Sequence, residues 1–135
     1  MNGRAFEGLV AALWQKQGYE TYLTPASSDA GIDVIAIRGE EGALIQCKSS
    51  TTDTPLGWQA VRDVNGGYRI YADQFPAVSF VRIGLTNKRF NPSAKDRATK
   101  TGVILLEQPD LWKLLERYPL RMREIALKLA ERPWQ

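Results

Sequence analysis

The sequence predicts an α/β domain with a mixed central β-sheet flanked by helices on both faces. Helical apolar stripes alternate with short β-branched runs along the chain. One pair of runs is joined only by the polar, Gly-flanked turn Gly39-Glu40-Glu41-Gly42, the mark of an antiparallel hairpin, whereas later runs are separated by whole helices. At 135 residues, with 44% hydrophobic and 24% charged residues, residues 1–135 are expected to form a single domain with a sizeable core, and residues 119–135 a C-terminal helical extension.

Residues 4–17 carry Phe6, Leu9, Val10, Leu13 and Trp14 at helical spacing, with Gly18 as the stop. Glu7 lies on the flank of that stripe, where it is either a first-turn acid near the positive helix end or a carboxylate presented to whatever the helix packs against. Residues 19–24 read as a short strand and residues 25–29 as a loop. Asp29 is a second acid near the hairpin, although a turn-forming Asp is the ordinary reading of Ser-Ser-Asp-Ala-Gly. Gly31 suits a tight turn or a close approach.

Residues 34–37 and 43–47 form the hairpin strands. With the turn centred on Glu40-Glu41, Asp33 faces Lys48 and Ile35 faces Gln46, and alternation puts Asp33, Ile35 and Ile37 on one face with Leu44, Gln46 and Lys48. Cys47 points the other way and reads as a small core residue. Thr54-Pro55 is expected to start a helix running to about residue 72 on Trp58, Val61, Val64, Tyr68 and Tyr71, with Gly66-Gly67 as a place to kink. Residues 77–85 are the next strand. Asn91-Pro92-Ser93 opens a helix that Gly102 ends, residues 103–106 form a short buried strand, and Pro109-Asp110 caps a helix over residues 111–117. Met122, Ile125, Ala126 and Leu129 mark a last amphipathic helix ending before Pro133.

The chain has no histidine and one cysteine. That excludes Ser-His-Asp and Cys-His catalysis, His-based zinc sites and histidine general bases, and leaves carboxylates, lysine and a hard, oxygen-liking metal. No run approaches the ~20 apolar residues that span a bilayer, so no membrane partner is expected and a cytoplasmic location is. Charge is unevenly spread: residues 1–81 hold six basic and nine acidic residues, residues 82–135 twelve basic and six acidic. An acidic half carrying the hairpin and a basic half behind it suit a metal site beside a polyanion.

On these residues a phosphodiesterase site is the expectation. Asp33 would bind magnesium, with manganese as a substitute, and the Gln46 side-chain oxygen, the Cys47 backbone carbonyl and Glu7 through a water would complete the shell. Lys48 would position or deprotonate the attacking water, or stabilise developing charge; the sequence leaves these roles open. Lys88, Arg89, Lys95, Arg97 and Lys100 are the expected DNA-binding cations.

Gly-Ile-Asp-Val-Ile-Ala followed by Ile-Gln-Cys-Lys, after a helix containing Phe-Glu-Gly-Leu-Val, resembles the Mrr-like branch of the PD-(D/E)XK restriction-endonuclease-like superfamily, in which Gln replaces the usual Glu, as at Gln46. The likeness extends to about residue 115. It implies a restriction-endonuclease-like fold and magnesium-dependent endonucleolytic cleavage of DNA to 5′-phosphate ends in restriction or defence, with Glu7, Asp33, Gln46 and Lys48 as the catalytic set. It also leaves room for a homodimer and for a fused or separate target-recognition domain, so that the chain is either a stand-alone nuclease or an excised catalytic domain. Two other readings compete: a structure-selective nuclease similar to Holliday junction resolvases, and an inactive nucleic-acid-binding module.

Overall fold

The computed structural model describes residues 2–25 and 31–134. Ten elements follow in order: α1 (Gly3–Lys16), β1 (Glu20–Leu23), β2 (Val34–Arg38), β3 (Glu41–Lys48), α2 (Gln59–Ala72), β4 (Ser79–Thr86), α3 (Pro92–Thr101), β5 (Val103–Leu106), α4 (Gln108–Arg117) and α5 (Met122–Ala130). Asp29 lies outside the described residues.

The five strands form one mixed sheet in sequence order. β1, β2 and β3 are antiparallel neighbours, while β3, β4 and β5 run parallel. Parallel neighbours need a crossover, and two successive crossovers of the same hand and direction place their helices on the same face. α2 and α3 therefore share a face, where Val61, Val64, Tyr71 and Ala98 bury Ile35, Leu44 and Val103. α1 covers the opposite face with Val10, Leu13 and Trp14 against Val34, Ile45, Cys47 and Leu85, joined there by Leu111 of α4. Val10, Leu13, Val34, Ile45 and Leu85 are fully buried, and side chains of this size stabilise by roughly 1.5–3 kcal/mol each when removed from water.

The hairpin has the expected faces and a different register. Arg38 pairs with Glu41 and Ile35 with Leu44, so the turn is the two-residue Gly39-Glu40, with Gly39 at φ +63°. A positive φ confined to the first turn residue matches the twist of a tight hairpin, which a turn centred one residue later does not offer to Glu40. The slip is an even number of residues, so no side chain changes face; Asp33 moves from beside Lys48 to beside Gln46.

Other details differ from expectation. α2 begins at Gln59 rather than at Pro55, because Leu56 instead forms a parallel bridge with Phe90, and it runs unbroken through Gly66-Gly67. β5 is an edge strand that leaves Ile104 exposed. α5 buries Ile125 and Lys128 while Met122 and Leu129 remain exposed. The Lys128 ammonium is satisfied by Thr21 O at 2.8 Å and Glu131 at 2.6 Å. With Trp134 N donating to Leu23 O at 2.7 Å and the Trp134 ring on Tyr22 and Phe75, the last residues cover the β1 edge and shield it from further strand pairing.

Candidate active site

Lys48 ends β3 and pairs in register with Thr86 at the end of β4. The site therefore opens at the carboxyl ends of parallel strands, where α/β sheets leave a crevice between diverging connections. Beyond those ends, Asn87 clamps the two loops reciprocally, accepting from Ser50 N at 2.8 Å and donating to Ser50 O at 3.0 Å.

Asp33 is held at the entry to β2. Its N–H donates to Ile45 O at 2.8 Å, and its Oδ2 accepts from Cys47 N at 2.8 Å. Gln46 is buried; its neighbours assign the amide nitrogen to the side facing Asp33 Oδ2 at 3.2 Å and Gly31 O at 2.6 Å. Gln46 is thus a donor in this arrangement. Offering its oxygen to a cation takes a half-turn of the amide and gives up the bond to Gly31.

The Asp33 carboxyl is raised to about 6, chiefly by burial and further by the negative charge of Glu7; the Cys47 N–H, Lys48 and Arg4 act in the opposite sense. Glu7, half-buried on α1, pairs with Arg4 Nη1 at 2.7 Å, and the same nitrogen donates to Thr24 O at 3.0 Å. The Glu7 carboxylate is thus engaged by Arg4 and near enough to Asp33 for its charge to be felt there. Burial pushes the Cys47 thiol well up, reinforced by Asp33 and Glu7, so it is a neutral core group and not a nucleophile.

Lys48 does not pair with Asp33. Its Nζ lies 3.1 Å from Asp63 Oδ2 on α2, and Asp63 Oδ1 accepts from Arg62 Nε at 3.2 Å. Sequence reasoning missed Asp63. A signal existed: Lys48 shares the face of Ile35 and Leu44, α2 is the crossover helix covering that face, and Asp63 flanks its Val61–Val64 stripe.

The approach of α2 depends on Gly31, at φ +74°, where an added Cβ would sit 2.1 Å from Asp63 O. Gly31→Ala is expected to destabilise the fold by about 3 kcal/mol or more, combining left-handed strain with a backbone clash. Denaturant unfolding checks this; a loss under about 1 kcal/mol would mean that the loop and α2 are not so closely apposed.

Among the described residues, no group of three or more His, Cys, Asp or Glu side chains is arranged to hold a metal ion, and no ion pair joins Asp33 to a cation. The oxygens near the hairpin are the Asp33 carboxylate, the Cys47 carbonyl, the Gln46 amide after its half-turn, and Glu7 at the flank. These are hard donors, the chemistry that suits magnesium, and a partly buried carboxylate raised by desolvation and a second acid is where a cation is electrostatically favoured.

The predicted cations do not form one surface. Lys88 pairs with Asp53 at 3.3 Å, Lys95 with Glu107 at 3.5 Å and Lys100 with Asp96 at 3.0 Å. Arg89 is exposed, and Arg97 lies over the Trp58 ring at 4.2 Å. Lys95 turns toward α4, whereas Arg97 and Lys100 line the α2 side of α3. A groove of about 510 Å³ between α1 and α5 includes none of the predicted site residues.

The family model described as Mrr_cat, restriction endonuclease, matches residues 1–115. The chain belongs to the Mrr_cat restriction endonuclease family. Among solved structures, a protein of unknown function designated AF1548 is similar at TM-score 0.73 and 22% identity over 89% of this chain and 68% of its own. MspJI restriction endonuclease, in complex with a 27-mer oligonucleotide, has TM-score 0.57 and 18% identity over 94% of this chain and 31% of that one. The DNA modification-dependent restriction endonuclease AspBHI has TM-score 0.59 and 17% identity over 92% and 34%. The chain thus spans about a third of these two enzymes, and the shared fold is the restriction-endonuclease fold. A comparison with curated proteins finds no match.

Proposed function

We propose that this Mrr_cat domain is a magnesium-dependent DNA endonuclease, in which manganese can replace magnesium, that leaves 5′-phosphate ends and acts in restriction or defence. The observation that carries the reading is the partly buried Asp33 carboxyl, raised to about 6, with Glu7 beside it and Lys48 held at 3.1 Å by a different acid. Asp33 and the Cys47 carbonyl would hold the ion, Gln46 would orient Asp33 or join as a ligand after its half-turn, and Glu7 would act through a water. A bound magnesium supplies a water of lowered pKa and stabilises charge on the phosphoryl oxygens.

The protein's own groups do the rest. Lys48, as the cation of an ion pair, donates to the phosphoryl oxygen on which charge develops. Asp63 positions Lys48, setting where that ammonium points. Burial of Gln46 and partial burial of Asp33 limit the bulk water that competes for the same oxygens. Of the predicted cations, Arg97 and Lys100, on the α2 side of α3, supply the cationic approach for DNA.

The test is cleavage of supercoiled and linear DNA with magnesium, with manganese and with chelator, alongside Asp33→Ala and Lys48→Ala. Metal-dependent nicking with 5′-phosphate ends, lost in both variants, is expected. Cleavage in chelator, or equal cleavage by all three proteins, rules the reading out.

A further inference from the structure

Between α2 and α3 lies an open cleft of about 460 Å³, distinct from the hairpin site and adjoining it. We propose that this cleft seats an unpaired nucleotide of the substrate strand beside the bond to be cut, with its base on Trp58 and its phosphates on Arg62 and Arg97. The inference rests on the endonuclease reading above and deepens it.

Trp58 stands at the N-cap of α2, half-exposed, with two guanidinium groups over its ring: Arg97 from α3 at 4.2 Å and Arg62 from α2 at 5.5 Å. An aromatic face set among fixed cations matches a nucleotide, whose base stacks while its phosphate takes the charge. A protein partner would bring mixed side chains, for which clustered arginines around one ring have no particular fit.

Among the cations lining the cleft, Arg97 stands apart: Arg62 and Lys100 each have a carboxylate partner, and among the described residues no ion pair joins Arg97 to an acid. The indole holds its guanidinium in place without neutralising it. A base that stacks on this face displaces the guanidinium, which stays electrostatically available for the phosphate.

The cleft also adjoins the hairpin site through Asp63. Asp63 contacts Lys48 through one oxygen and Arg62 through the other, at 3.1 and 3.2 Å, so a phosphate on Arg62 lies one ion pair from the proposed reaction centre. Away from Asp63, Asn65 and Thr101 on the cleft wall are tied together, Arg82 donating to Asn65 Oδ1 at 2.6 Å and to Thr101 O at 2.8 Å and Asn65 donating to Thr101 at 3.0 Å. A cleft of this volume between two helices, with one aromatic ring on its wall, suits a single unpaired nucleotide more than a continuous duplex. A base can enter it only when unstacked, so substrates with single-stranded nucleotides should be preferred.

The experiment measures binding of fluorescein-labelled single-stranded oligonucleotide and of blunt duplex by anisotropy, in chelator, for the wild type, Trp58→Ala, Trp58→Phe and Arg97→Gln. Metal-dependent cleavage of single-stranded and duplex DNA by the same proteins is measured in parallel. Trp58→Ala is expected to weaken single-strand binding roughly 5- to 100-fold, the loss of one base stack, and Trp58→Phe to restore most of it. Arg97→Gln, at an exposed position that does not threaten folding, should reduce the salt slope of single-strand binding by about 0.7. Duplex binding should change much less.

Equal weakening of single strand and duplex by Trp58→Ala would assign the cleft to backbone contact and overturn the stacked base. Unchanged binding in both Trp58→Ala and Arg97→Gln, with metal-dependent cleavage intact in the wild type, overturns the cleft alone. A wild type that neither binds nor cleaves DNA overturns the endonuclease reading and this inference together.

Discussion

Asp33→Asn should abolish DNA cleavage and, above neutral pH, make the protein more stable. The neutral amide keeps an oxygen for the Cys47 N–H but removes the charge that would hold the metal. Loss of a charge-stabilising contribution of several kcal/mol lowers the rate on the order of 10³-fold or more. The stability gain follows from linkage. Asp33 titrates near 3.8 when unfolded and at about 6 in the native protein, because burial and Glu7 disfavour its charged form.

The native state therefore binds this proton more tightly. That contribution is fully present below the unfolded value and is lost as pH rises through about 6. Asparagine has no such loss, so the two proteins should be nearly equal in stability at pH 4 and diverge by about 1–3 kcal/mol above pH 7. Thermal unfolding from pH 4 to pH 8, with and without magnesium, checks this. Magnesium should raise the wild-type Tm only above about pH 6 and leave Asp33→Asn unmoved, because the ligand must be deprotonated to bind. A variant less stable than wild type at pH 8 would show that the native carboxylate is stabilised, contrary to its raised titration.

The set of elements was legible in sequence because their signals are local. Asn91-Pro92 opens α3 and Gly102 ends it at φ +77°, and the apolar stripe of α1 gives that helix its extent and its buried face. The hairpin faces survived a wrong register because side-chain direction depends only on whether the slip is even or odd. The pairing drawn from that register did not survive. Asp33 opposite Lys48 was a contact inferred along two strands, whereas the lysine is a long side chain at a strand end and reaches the next layer, where α2 offers Asp63.

That third partner was hidden by two long-range facts. The Leu56–Phe90 bridge pulls residues 55–58 out of the helix and shifts where α2 begins, and Gly31 lets the backbone at Asp63 come close to the hairpin. Neither is encoded in the periodicity of α2 itself. The buried lysine of α5 is a similar case: Lys128 sits on the inner face because Thr21 O is there to receive it, while the apolar pattern alone favoured Met122 and Leu129.

The pair formed by Lys48 and Asp63 makes the second prediction. Lys48→Ala should lower kcat on the order of 10²- to 10³-fold, the usual effect of deleting one preorganised charge contact to a developing anion. Its effect on metal activation should be small. Asp63→Asn should act differently. It frees the ammonium from its 3.1 Å anchor and leaves Asp33 as the nearby acid, so lysine then competes with the metal for the same carboxylate.

The expected signature is a kcat reduced about 10-fold together with a raised magnesium activation constant, and Asp63→Glu should recover part of both. The double variant decides the matter. If Asp63 acts through Lys48, adding Asp63→Asn to Lys48→Ala costs nothing further, because the group to be positioned is gone. Additive losses would give Asp63 a separate role. A wild-type profile for Asp63→Asn would make the pair an ordinary half-exposed salt bridge of about 0–1 kcal/mol with no part in the reaction.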